Sequence, residues 1–166
     1  MVGRFGTALL KPANGDTDAI PSIGEIGLNH FAPYLINRIS ARWNADMLET
    51  LRSFDLTTAK MRTLAVLAIT PGMTANDLAL HTITEQSTMS RTLDAMEEQG
   101  LVESRPRKED LRVREVYPTE KGRELFAAFW PAMYRRYSDV FSSVSEAEYE
   151  SFISVLHKML QNMNQA

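Results

Sequence analysis

The sequence predicts a mainly α-helical fold with a single small β-hairpin, and three observations predict it. From Leu28 onward, apolar residues recur at three- and four-residue steps through most of the chain. Capping residues stand at four helix starts, Thr57, Thr74, Thr119 and Ser145. The period changes only after Gly100, where residues 101–105 and 112–117 read as two strands joined by a charged connection.

Composition narrows the class further. The chain has 166 residues, 44% hydrophobic and 23% charged, and a net charge of −3. These are ordinary values for a globular domain, and they exclude a disordered tail, a collagen or a coiled-coil rod. The longest apolar run, Leu64-Ala65-Val66-Leu67-Ala68-Ile69, is far short of the roughly 20 residues a bilayer span needs. No charged-then-apolar leader opens the sequence, so a cytoplasmic protein is expected. The absence of cysteine excludes disulfides, thiolate metal sites and thiol redox sensing. With a mildly acidic chain, any affinity for nucleic acid must come from local charge.

Residues 1–21 carry Gly3, Gly6, Pro12, Gly15 and Pro21 with little periodicity, and an amino-terminal arm is expected over 1–27. Its Phe5, Leu9, Leu10 and Ile20 suit docking on a dimer base. Leu28, Phe31, Leu35, Ile39, Trp43, Met47 and Leu51 then trace one stripe of a long helix, with Pro33 near its start. Thr57 caps the next helix. Leu56 and Met61 form its hydrophobic staple, Met61, Leu64, Ala65 and Ala68 its expected buried face, and Pro71-Gly72 its stop. Thr74 repeats the signal for a short helix to about His81. A four-residue turn then leads to a longer helix ended by Gly100. There Met89, Leu93 and Met96 face inward, so Ser87, Ser90, Arg91 and Asp94 face outward.

Beyond the two strands, Thr119 caps a long helix with Leu125, Phe126, Phe129, Met133, Tyr137 and Val140 on its apolar side and a kink expected at Pro131. A capping box of Ser145 and Glu148 and a Val144–Tyr149 staple start the last helix, whose stripe is Phe152, Leu156, Met159 and Met163.

Helix, short helix, turn, helix and hairpin, in that order, make a winged helix-turn-helix. The second helix of the pair is presented to the DNA major groove and the hairpin to the adjacent groove or backbone. The outward strip suits that task, because hydroxyls donate to phosphates or base edges and Arg binds guanine with two hydrogen bonds. The same strip is also compatible with a merely solvated helix face. The wing shifts the balance: between residues 104 and 114, five basic residues (Arg105, Arg107, Lys108, Arg112, Arg114) face two acids (Glu109, Asp110). Acids on the reading helix, Glu85, Asp94, Glu97 and Glu98, oppose non-specific sticking. The expected organisation is a winged helix-turn-helix lobe over 55–118 and a helical dimerisation base over 28–54 and 119–163.

Several stretches are similar to the MarR (multiple antibiotic resistance regulator) family of winged-helix transcription factors. They are Leu56-Thr57-Thr58-Ala59, Met73-Thr74-Ala75-Asn76-Asp77-Leu78-Ala79, and Ser87-Thr88-Met89-Ser90-Arg91-Thr92-Leu93-Asp94. Leu101-Val102, Asp110-x-Arg112 and Thr119-Glu120-Lys121-Gly122 continue the match, and Pro118 departs from the leucine the family usually places there.

The resemblance implies a homodimeric repressor or activator binding double-stranded DNA on a pseudo-palindromic operator, its two lobes about one turn of DNA apart. It implies that Arg112 enters the minor groove, oriented by Asp110. The expected DNA-binding residues are Thr74, Gln86, Ser87, Thr88, Ser90, Arg91, Arg105, Arg107, Lys108, Asp110 and Arg112. The family commonly binds small amphipathic or aromatic acids. The matching residues are His30, Tyr34, Arg38, Trp43, Met61 and Leu64; taken singly, Trp43 and Met61 read more simply as core and Arg38 as a surface ion-pair member. The three histidines lie on separate elements, which argues against a metal site, and no cofactor is expected. The chain lacks G-x-S-x-G, a phosphate-binding glycine loop and H-E-x-x-H, so an enzyme is not expected. The remaining rival is a winged-helix module that binds protein without DNA.

Overall fold

The computed structural model describes residues 23–164 of the chain. The expected arm lies outside the described residues as far as residue 22, and with it the expected docking. Its last residues are a single helical turn, α1 (Ile23–Ile26), followed by Gly27 at φ 73° and a 3-10 turn at Leu28–His30. The long helix α2 (Ala32–Ser53) therefore begins four residues later than the apolar stripe. Pro33 falls in its first turn, where no intrahelical N–H is lost. The stripe is buried only towards its end: Met47 and Leu51 are inside, whereas Leu28, Leu35 and Ile39 are exposed.

The chain divides into two compact units, Met1–Glu49 and Thr50–Ala166. The second contains α3 (Thr58–Ile69), α4 (Ala75–His81), α5 (Gln86–Glu98), β1 (Val102–Pro106), β2 (Arg114–Pro118), α6 (Glu120–Val140) and α7 (Glu146–Asn164). Each expected cap is made by its own side chain. Thr57 accepts from the Lys60 N–H, Thr119 accepts from the Gly122 N–H, and Thr74 with Asp77 and Ser145 with Glu148 form reciprocal capping boxes.

The core of this unit is Leu56, Met61, Leu64, Leu67, Leu78, Met89, Leu93, Met96, Leu101, Val102, Val116 and Phe129. Phe54 meets Phe129 edge-on, with ring centroids 5.6 Å apart. One expectation fails on α3, where Ala68 is exposed and Thr63 and Leu67 are buried instead. The helix is surrounded by α4, α5, α6 and β2, so more than one stripe is covered, and the larger side chains take the interior. Gly122 lets α6 start against β1, because a Cβ there would lie 2.0 Å from the Leu101 carbonyl oxygen.

The hairpin is antiparallel with Val102 opposite Pro118 and Arg105 opposite Glu115. Its strands sit later than expected, and Arg112 belongs to the connection and not to β2. The turn chemistry explains this. Asp110 accepts the Arg112 N–H through its carboxylate at 3.0 Å and the Val113 N–H through its carbonyl at 3.0 Å, while the Arg107 N–H bonds the Val113 carbonyl. Pro118 is buried at the end of β2, where its carbonyl accepts from Arg123. The loop before α4 joins the sheet edge by a bridge between Met73 and Val116. Among the described residues, no helix is long and apolar enough to cross a membrane.

Candidate nucleic-acid interface

Two surfaces meet the requirements read from the sequence. The first is the outer face of α5. Met89 and Met96 are fully buried, and this orients the helix so that Gln86, Ser87, Thr88, Ser90, Arg91 and Asp94 are exposed. Gln86 donates to the Asn76 side chain on α4 at 2.5 Å, tying the first turn of one helix to the first turn of the other. The Ser90 hydroxyl returns to the Gln86 carbonyl at 3.2 Å. The side chains of Ser87, Thr88 and Arg91 have no hydrogen-bond or ion-pair partner among the described residues. Thr74 caps α4: its hydroxyl donates to Asp77 at 2.7 Å and accepts the Asp77 N–H at 3.2 Å. The Thr74 hydroxyl and, at 3.3 Å, the Thr74 backbone N–H donate to the Asp77 carboxyl and hold it below the usual range.

The second surface is the wing, and its five basic residues are not equivalent. Arg105 pairs with Glu103 and lies over the Tyr117 ring, 4.9 Å from its centroid. Arg107 pairs with Glu115 at 2.5 Å, and Arg114 donates to the Ser104 carbonyl at 2.9 Å. Lys108 and the Arg112 guanidinium, both exposed at the tip, have no ion-pair partner among the described residues. Asp110 shapes the tip through backbone hydrogen bonds and forms no ion pair with the Arg112 side chain here.

The network on the outer face of the hairpin escapes a reading by charge count. Glu103 and Arg105 on β1 and Glu115 and Tyr117 on β2 share that face because side chains alternate along a strand. Tyr117 donates to Glu115 at 2.9 Å. The Arg107 guanidinium and the Tyr117 hydroxyl together hold the Glu115 carboxyl below the usual range, and the same contact raises Arg107. The strand alternation of charges was the available signal.

The residues expected to meet a small ligand fall in both units. In the first, His30 is in the 3-10 turn, and Tyr34, Arg38 and Trp43 are on α2, with the Arg38 guanidinium 5.7 Å from the Tyr34 ring centroid. In the second, Met61 and Leu64 are core residues of α3. Among the described residues no group of three or more His, Asp or Glu is placed to hold a metal.

A buried three-helix core, an exposed reading helix and a hairpin with a cationic tip define a winged helix-turn-helix DNA-binding protein. The family model for MarR matches residues 54–112. A MarR-family transcriptional regulator from Silicibacter pomeroyi is 37% identical, with a TM-score of 0.80 over 86% of this chain and 96% of that one. The S. aureus MepR–DNA complex is 26% identical, with a TM-score of 0.71 over 81% of this chain and 98% of that one. The HTH-type transcriptional repressor IacR of Pseudomonas putida is 25% identical over 164 residues, 98% of each chain. The chain belongs to the MarR family and is a DNA-binding transcriptional regulator.

Proposed function

We propose that the protein is a cytoplasmic homodimeric repressor that binds a pseudo-palindromic duplex operator and is released from it by a small amphipathic or aromatic ligand. The observation that carries the DNA-binding part is the pairing of the exposed α5 strip, where Ser87, Thr88 and Arg91 are unpartnered, with the unpartnered cations Arg112 and Lys108 at the wing tip. In this reading Ser87, Thr88, Ser90 and Arg91 meet base edges and phosphates in the major groove, and Arg112 enters the minor groove. Gln86 and Asn76 set the angle between the two helices of the motif. IacR is a transcriptional repressor and MepR is found in complex with DNA, which supports a repressor acting on DNA.

The dimer is supported by α7, which has no buried residue although Phe152, Val155, Leu160 and Met163 are apolar. For the ligand, the stacked Tyr34 and Arg38 supply an aromatic face and a cation, the chemistry an aromatic acid requires. The test is binding of the chain to its own upstream DNA by fluorescence anisotropy, with random duplex as competitor. Preference for the upstream DNA, lowered by added aromatic acids, is expected. Equal affinity for both duplexes would remove the repressor reading.

A further inference from the structure

We propose that Glu115 is a positioning residue that withholds Arg107 from DNA, so that the wing engages the duplex through its tip alone. The inference rests on the DNA-binding reading above and adds a specificity device to it. Arg107 sits where the hairpin leaves β1, and its side chain bends back along the outer face to Glu115 instead of extending with Lys108 and Arg112. The contact is not a loose surface pair. Glu115 is 19% exposed, its second carboxylate oxygen is taken by the Tyr117 hydroxyl, and Tyr117 is in turn covered by Arg105.

Tyr117 is itself fixed from behind. Gly72, at φ 85°, leaves the space its ring fills, since a Cβ at that position would lie 2.9 Å from the Tyr117 hydroxyl. The carboxylate is thus set on a rigid support, with a tyrosine on one oxygen and an arginine on the other. An internal carboxylate held this way competes with phosphate for the same guanidinium.

Physically, the device lowers the number of phosphates neutralised on any sequence while leaving Arg112 free. Sequence-independent affinity falls with each cation removed from the backbone, whereas a base- or groove-reading contact is unaffected. A mildly acidic protein with an anion in its own wing therefore gains discrimination between operator and bulk DNA.

The test uses the full chain and random-sequence duplex, with the salt dependence of affinity as readout. Glu115→Gln keeps the acceptor for Tyr117 but loses the ion pair. Freed Arg107 should tighten random-duplex binding by about twofold to fivefold and steepen the salt slope by about 0.9. Removing a negative charge also raises affinity through the general field, so the same substitution is made in an Arg107→Ala background, where most of the gain should vanish. Arg107→Ala alone should leave the wild-type slope unchanged. A loss of about one phosphate-equivalent in that single variant would show Arg107 already on DNA and overturn the proposal. An equal gain from Glu115→Gln in both backgrounds would do the same. A wild-type protein that binds its upstream DNA while Glu115→Gln leaves the random-duplex slope unchanged sinks the latch but not the DNA-binding reading. No binding of any duplex by the wild type would remove both.

Discussion

The winged-helix lobe and the carboxyl-terminal helices solve the same problem differently. In the lobe, Leu78, Met89 and Met96 have essentially no exposure and the outer face of α5 is polar, although Ile69, Leu80, Ile83 and Leu111 are exposed elsewhere on the lobe. Along α6 and α7 an aromatic chain, Phe126–Trp130–Tyr134–Tyr137–Phe141, continues to Tyr149 and Phe152, yet Trp130, Tyr134 and Phe152 are exposed. The Tyr137 hydroxyl donates to that of Tyr149 at 2.5 Å, which satisfies two polar groups within an otherwise apolar surface. The core of the lobe closes within one copy. The terminal helices are organised within one copy yet leave aromatic and aliphatic side chains exposed in a row, the kind of surface that the proposed dimer would cover.

The largest expected effect lies at the junction of the two regions. Gly122→Ala places a methyl against the Leu101 carbonyl, and neither backbone can yield without shifting β1 or α6. A loss of about 3 kcal/mol or more is expected in denaturant unfolding, with lobe and helices affected together. Unchanged stability would mean that the two are not rigidly seated on one another. Next in size, Phe152→Asp combined with Leu160→Asp should weaken the dimer by about 2–4 kcal/mol, read by sedimentation, and leave the lobe folded. If the lobe unfolds too, the comparison is wrong and α7 is part of a single cooperative core.

Arg112→Ala should weaken operator binding by about 1–3 kcal/mol and reduce the salt slope by about 0.9, with no change in the dimer. An unaltered affinity would take the wing tip off the DNA. Thr74→Ala should cost about 0.5–2 kcal/mol of stability through the lost capping box on α4. Operator affinity per folded dimer should remain the same; a selective loss of binding would return Thr74 to the interface.

The smallest effect concerns acid. Asp77, Glu115 and Glu148 are all held below the usual range by hydrogen bonds from Thr74, Arg107 and Ser145 respectively. Groups lowered by folding stabilise fully above their unfolded values, about 4 for carboxylates, and lose that contribution as pH falls through the lower folded values. The thermal midpoint should therefore be flat from about pH 7 to pH 5 and decline only below about pH 4. A decline beginning near pH 6 would implicate a histidine instead.

The residues themselves determined the caps and the inward face of α5. Thr57, Thr74, Thr119 and Ser145 act within one helical turn, and Met89, Leu93 and Met96 are placed by helical period alone, so both are local properties of the chain. The order of elements, and with it the helix-turn-helix and its wing, was legible for the same reason. Tertiary structure decided the rest. Which side of α3 is buried depends on how many neighbours surround it, which no single-helix period contains. The register that puts Arg105 opposite Glu115 follows from a turn closed by Asp110, and it sorts five similar cations into three that are occupied and two that are available. Charge is additive along a sequence, but partnership depends on which oxygen comes within about 3 Å of which nitrogen, and only the folded hairpin sets that.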